Sequence, residues 1–154
     1  MDSITQAALG ASIAGLVAGK ALGRPALLTG ALLATLPDLD VLIDYGTAVA
    51  NFTQHRGFSH SLFVLAPLSL LIAGLLWRWK PEPGFQRWLL LTALILMTHP
   101  LLDTFTTYGT QLFWPIGRPL AISSIFIIDP LYTLPLIAGC LAFLVRPPAL
   151  RAIT

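Results

Sequence analysis

The feature that most restricts what this 154-residue chain can fold into is a series of five apolar stretches. They run from about Ile4 to Ala18, Pro25 to Leu42, Ser59 to Trp77, Trp88 to Phe105 and Ile125 to Val145, and several are near 18 residues long. A helix of that length just crosses a hydrocarbon core of roughly 30 Å. Backbone at that depth must satisfy its own hydrogen bonds, which a helix does within one segment. The pattern predicts an all-α fold, a polytopic membrane helical bundle of about five apolar helices, some short or half-inserted, forming a single transmembrane domain over 1–154. Composition agrees, with 56% hydrophobic and 10% charged residues, where soluble domains average about 25% charged. The net charge of +2 is scattered and gives no electrostatic footprint for nucleic acid. Cys140 is the only cysteine, so a disulfide framework and a four-thiolate zinc site are both excluded. The N-terminus carries Asp2 and no basic region before its apolar stretch, unlike a cleavable signal peptide. The sequence sets no oligomeric state.

The first stretch is short and rich in small residues. Gly15, Gly19 and Gly23 follow at four-residue steps, as do Ala7 with Ala11 and Ala14 with Ala18. Such faces let helix backbones approach closely, so helix one is expected inside the bundle. Loop charges then predict topology. The connections at 20–24 and 78–87, with the C-terminal tail, carry Lys20, Arg24, Arg78, Lys80, Arg87, Arg146 and Arg151. The connections at 43–58 and 106–124 carry only Arg56 and Arg118. Five crossings and the positive-inside rule make the first set cytoplasmic and turn the second set, with the N-terminus, outward. The expected location is the cell inner membrane, multi-pass. Trp77, Trp79, Trp88 and Trp114 fall where interfacial anchors belong.

Ionisable side chains interrupt this apolar pattern in a chemically coherent way. All three histidines, His55, His60 and His99, and five of seven carboxylates, Asp38, Asp40, Asp44, Asp103 and Asp129, lie in or beside the apolar stretches. An ionisable group at membrane depth costs a few kcal/mol or more. Imidazoles and carboxylates together are the donor set of divalent metals. Every one of the eight maps to the 43–58 and 106–124 side, although the charge rule used none of them. A single site in the outer half of the bundle is expected.

Three motifs supply it. In Leu36-Pro37-Asp38-Leu39-Asp40, two carboxylates one residue apart can share a cation, and Pro37 disturbs the helix so that they can turn inward. A solvated helix-end turn is the plainer reading of a lone Asp-x-Asp. In His55-Arg56-Gly57-Phe58-Ser59-His60-Ser61, the histidines are too far apart for one helical face. Gly57 permits a sharp turn and Ser59 is a candidate N-cap for helix three, so His55 from the loop and His60 from the first turn can converge. Arg56 between them suits gripping an anion, against the plainer reading of an arginine snorkelling to headgroups. In Thr98-His99-Pro100-Leu101-Leu102-Asp103, His99 and Asp103 share a face if the helix continues past Pro100. Asp129 before Pro130 reads equally as a helix cap or a ligand. The polar run from Asp103 to Gln111, with Phe113-Trp114-Pro115, reads equally as a headgroup pocket or an interfacial loop.

With these segments in hand, the chain resembles the YdjM-type family of predicted inner-membrane metal-dependent hydrolases. The resemblance rests on Met1-Asp2-Ser3-Ile4-Thr5-Gln6-Ala7, the three motifs above, Tyr108-Gly109-Thr110-Gln111-Leu112-Phe113-Trp114-Pro115 and Ile128-Asp129-Pro130-Leu131-Tyr132, and covers residues 1 to about 145. It implies metal binding by Asp38, Asp40, His55, His60, His99 and Asp103. The expected function is a membrane-embedded metal-dependent hydrolase acting on a lipid phosphoester or ester through a metal-activated water. Zinc is favoured as cofactor by the imidazole content, with manganese or iron as alternatives. Asp44 or Asp103 would position the water or take its proton, and Arg56 would neutralise developing charge. Membrane lipid is then both surroundings and substrate. The rival readings are a metal-ion or proton transporter using the same His/Asp cluster, and a non-catalytic membrane protein with a structural metal.

Overall fold

The computed structural model describes residues 1–145, apart from the side chains of Phe52 and Thr53. The tail residues Arg146 and Arg151 counted above lie outside the described residues. Six α-helices form: α1 (Ser3–Leu22), α2 (Pro25–Thr35), α3 (Ala48–Gln54), α4 (Leu62–Trp79), α5 (Phe85–Thr104) and α6 (Pro130–Val145). Two short 3-10 segments, Pro37–Leu42 and Phe58–His60, accompany them. No β-strand occurs among the described residues, so the expected all-helical membrane bundle is what the chain forms.

Helix α1 starts where Asp2 caps it, its carboxylate accepting from the Ile4 and Thr5 amides at 3.1 and 3.0 Å. It lies centrally, against α2, α5 and α6. The tightest seam is with α2, at Gly10 and Gly30, where a Cβ on either residue would overlap the other's carbonyl. Ala14 and Ala34 are buried beside this contact. The close approach therefore uses Gly10 and Ala14. Of the glycine steps read from the sequence, Gly15 and Gly19 instead face Phe143 of α6, and Gly23 ends the helix at φ 65°.

The stretch expected as one helix from Pro25 to Leu42 is broken. Pro37 has no amide hydrogen to continue the α-helical ladder, so α2 stops at Thr35 and the chain tightens into the 3-10 turn that carries Asp38 and Asp40. The next connection holds the additional short helix α3. The fifth apolar stretch begins its helix at Pro130 rather than Ile125, because Asp129 Oδ1 accepts from the Leu131 amide at 3.0 Å and so caps α6.

Helices α4 and α5 are long and apolar enough to cross a membrane, and α2 and α6 are shorter apolar helices. The 18-residue α4 buries only Leu65, Ser69 and Ala73, one four-residue stripe that packs on α5. Its remaining faces expose Leu70, Leu71, Leu75, Trp77 and Trp79, and no residue of α6 is fully buried. A water-soluble monomer rarely presents such continuous apolar surface, whereas lipid tails cover it without penalty. Helix α5 carries the core, with Trp88, Leu91 and Ile95 in one buried cluster with Ala73 and Leu33. It runs unbroken through Pro100.

The ends of these elements gather at one pole: the start of α1, the 3-10 turn after α2, the start of α4 and the end of α5. The 106–124 connection folds over them. The Leu62 amide donates to Leu112 O at 2.9 Å, and the Gln111 amide to Arg56 O at 3.2 Å. Thr110 and Leu120 exchange both backbone hydrogen bonds, closing a loop. Gly109 makes that turn at φ 75°, where a Cβ would press on the Leu120 carbonyl.

Candidate metal centre

Four side chains from three elements converge at this pole. Asp38 comes from the 3-10 turn, His60 from the segment before α4, and His99 and Asp103 from one face of α5. One ligand atom from each lies within 4.8 Å of all the others. His60 Nε2 and His99 Nε2 stand 3.2 Å apart. Asp38 Oδ1 is 3.4 Å from the first and 3.3 Å from the second. Asp103 Oδ2 is 3.3 Å from His60 Nε2 and 3.8 Å from His99 Nε2.

These separations test whether a metal fits. Four donors about 2.0–2.1 Å from a tetrahedral ion stand about 3.3 Å from each other, close to the spacing found. Two further observations agree. Opposed imidazole nitrogens at 3.2 Å need a proton or a cation between them, because two bare lone pairs repel, and a divalent ion meets that need. Asp103 Oδ2 is buried and accepts no hydrogen bond, the condition of a carboxylate oxygen reserved for a cation. The group could therefore hold a divalent ion. His60, His99 and Asp103 are sealed, while the Asp38 side chain retains 18% exposure and is the way in.

Asp40 and His55, expected among the ligands, stand outside this group and form a supporting layer. Asp40 Oδ1 meets His55 Nδ1 at 2.9 Å, and Asp40 Oδ2 accepts from the Arg56 amide at 3.0 Å and the Ser59 hydroxyl at 2.6 Å. The reason is the turn itself: residues two apart on the 3-10 segment point in different directions, Asp38 toward α5 and Asp40 toward the 55–59 loop. Ser59 accordingly does not cap α4, which Ser61 precedes. Its hydroxyl proton goes to Asp40, so its oxygen accepts from His60 Nδ1 at 2.9 Å. That fixes the tautomer, leaving the His60 Nε2 lone pair toward the centre.

Asp103 Oδ1 is held by Gln6 Nε2 at 3.2 Å and by the α-amino group of Met1. Gln6 also donates to the His99 carbonyl, one of the backbone acceptors around Pro100. The sequence reading did not single out Gln6 or the hydroxyl of Ser59 as supports. A buried amide at the start of α1, 32 residues from the nearest acid other than Asp2, had no local signal beyond its place in the opening segment. Asp44, expected as a proton acceptor, is exposed and turned to its own loop, accepting from the Gly46 amide at 2.9 Å and Asn51 Nδ2 at 3.2 Å. The Gly46 bond, with that from Asn51, keeps its carboxyl below the usual range. Asp129 is a cap, as described.

Arg56 is the strained member. It occupies φ 63°, a conformation costing about 1–3 kcal/mol for a residue with a Cβ. Gly57, expected to make the sharp turn, has φ −83° and is instead needed where a Cβ would press on the Gln54 carbonyl. Arg56 is pinned through its amide to Asp40 and its carbonyl to Gln111. Its buried guanidinium lies 4.7 Å from the Tyr108 ring centre and 3.4 Å from both Thr106 Oγ1 and Asp103 Oδ2. Burial pushes the Tyr108 phenol above its ordinary pKa, so it stays neutral.

Fold and site together define a class: an all-helical membrane protein with a buried His/Asp cluster able to take a metal ion. Comparison with known sequences supplies the particular family. The model of the YdjM inner membrane protein family matches residues 1–154, and the chain belongs to that family. It is similar to inner membrane protein YbcI of Escherichia coli (strain K12), 42% identical over 113 residues, which cover 72% of this chain and 64% of that one. It is also similar to the uncharacterized protein YfhP of Bacillus subtilis (strain 168), 29% identical over 138 residues, covering 84% of this chain and 42% of the relative. The chain thus spans less than two thirds of the length of either relative. No solved structure matches it significantly.

Proposed function

We propose that this protein is a membrane-embedded, metal-dependent hydrolase that cleaves an ester or phosphoester bond of a bilayer-resident lipid. The observation that carries the reading is the convergence of Asp38, His60, His99 and Asp103 in one buried pocket, with Asp38 alone reached by water. Zinc suits two imidazoles and two carboxylates, with manganese or iron as alternatives. A divalent ion there would supply Lewis acidity and a more acidic water. The chain's own residues do the rest. Ser59 and Asp40 orient His60, Gln6 orients Asp103, and the Asp38 carboxylate, reached by solvent at its edge, is placed to accept a proton. Arg56 is placed to stabilise negative charge on the group being transferred.

A lipid substrate is supported by what surrounds the pocket. Leu39, Val41 and Leu42 on the 3-10 turn that carries Asp38, and Ile116 and Ile122 on the 106–124 connection, are exposed apolar side chains. A second cavity of about 240 Å³, lined by Leu36, Ile43, Phe58, Val64 and Leu68, opens beside Asp40 and Ser59 and has the character of an alkyl-chain slot. Loop charges favour an inner-membrane, multi-pass arrangement with this pole facing the periplasm. A transporter would need ionisable groups through both halves of the bundle, whereas the described residues hold one such cluster, at one pole.

The test is metal analysis and turnover on detergent-purified protein. About one zinc-class ion per chain is expected, with hydrolysis of at least one lipid in a panel of carboxylic and phosphoric esters, both abolished by His60→Ala and Asp38→Ala. Stoichiometric metal with no turnover across the panel would overturn the enzyme reading.

A further inference from the structure

Resting on the hydrolase reading above, we infer that the cavity beside Arg56 is an oxyanion subsite and that the bond cleaved is a phosphoester rather than a carboxylic ester. The cavity, of about 270 Å³, is bounded by His55, Arg56, Tyr108, Thr110 and Gln111, and Arg56, 3.4 Å from Asp103 Oδ2, links it to the His/Asp cluster. Its walls carry polar groups that the protein does not satisfy. Arg56 Nε is buried and donates no hydrogen bond, and Thr110 Oγ1 is buried without a partner. Both residues are more than nine-tenths buried. Groups of this kind cost stability unless something meets them.

Charge decides what meets them. Among the described residues, the carboxylate within ion-pairing distance of the guanidinium is that of Asp103. Asp103 and Asp38 are also the two carboxylates of the cluster, and a dication there would neutralise both. The guanidinium would then be a buried cation without a counter-ion, which is strongly unfavourable. A carboxylic ester is neutral and cannot supply the missing charge before reaction. A phosphoester carries it permanently, and its oxygens match the guanidinium fork. The Tyr108 ring beneath Arg56 and the two backbone bonds that pin Arg56 hold that fork in place. In the reaction, a water oxygen forms a new bond to phosphorus and the bond from phosphorus to the alcohol oxygen breaks. The water's proton passes to that departing oxygen, giving a free alcohol and the phosphate.

The test is binding rather than turnover. Zinc-loaded protein in detergent is titrated with inorganic phosphate, dodecylphosphonate and dodecanoate, followed by calorimetry and ³¹P NMR. The phosphorus oxyanions are expected to bind, dodecanoate at least tenfold more weakly than dodecylphosphonate, and Arg56→Gln to weaken phosphonate binding tenfold or more with metal content unchanged. Arg56→Lys should restore part of the loss, and Thr110→Val, a milder change, should weaken binding without unfolding. Preference for dodecylphosphonate over phosphate identifies a lipid headgroup, and equal binding a soluble phosphate; either supports the subsite. Absence of binding, or binding that Arg56→Gln and Thr110→Val leave intact, overturns it. Turnover of carboxylic esters that survives Arg56→Gln would overturn the subsite and leave the hydrolase standing. Phosphonate binding through Arg56 with no turnover of any ester would do the reverse.

Discussion

Ser59 shows how much of a metal centre can rest on one hydroxyl. Its proton is committed to Asp40 and its oxygen to His60 Nδ1, so removing it frees the His60 ring to turn and to change tautomer. Ser59→Ala should therefore lower metal affinity about 10–100-fold with little change in the fold. Competition with a chelating dye measures this, and unchanged affinity would contradict the assigned tautomer. His55 gives the opposite expectation. It bonds Asp40 and packs edge-on against the His60 ring but supplies no donor to the cluster, so His55→Ala should keep a stoichiometric ion where His60→Ala loses it, as elemental analysis would report. If His55→Ala also strips the ion, the supporting layer has been misread as separate. Residue by residue, the three motifs supply every member of the cluster that could hold an ion, and the structure separates them from Asp40 and His55. Asp38 and Asp40 look equivalent in sequence, yet point in different directions, about 120° apart, because a 3-10 turn rotates each residue by about a third of a circle.

At the scale of elements, the seam between α1 and α2 fixes where the 3-10 turn is delivered. Gly10 and Gly30 meet backbone to backbone, and backbone cannot move aside as a side chain can. Gly30→Val should destabilise the protein by at least about 1–3 kcal/mol through overpacking, read as a lower unfolding midpoint in SDS titration followed by circular dichroism. An unchanged midpoint would mean the helices are not in this contact. Helices of 18 and 20 residues, α4 and α5, were legible because long apolar runs have few other uses. The break at Pro37, the helix α3 and the start of α6 at Pro130 were not, although Pro37 and the Asp129-Pro130 pair were visible signals. An apolar run does not say whether its last two turns are α-helical or tightened, since both bury the same side chains.

Over the whole molecule, the cluster, Arg56 and the 106–124 loop share one pole, and the connection at 80–84 lies at the other. With Cys140 replaced by Ser, Arg118→Cys should react with a membrane-impermeant maleimide on intact cells, and Glu82→Cys only after lysis. Both positions are exposed, so burial does not confound the comparison. The reversed pattern would place the site on the cytoplasmic side.

Composition and run length by themselves determined that this chain is a helical membrane protein, because in hydrocarbon only internally bonded backbone is tolerated. They also predicted that its imidazoles and carboxylates gather, since stranding them singly at that depth is costly, and four of the eight do. Which four converge was decided by tertiary structure alone. The 3.2–3.8 Å separations among Asp38, His60, His99 and Asp103 join residues up to 61 positions apart in the chain. Such contacts depend on how α2, α4 and α5 are set against α1, and no local pattern encodes that packing.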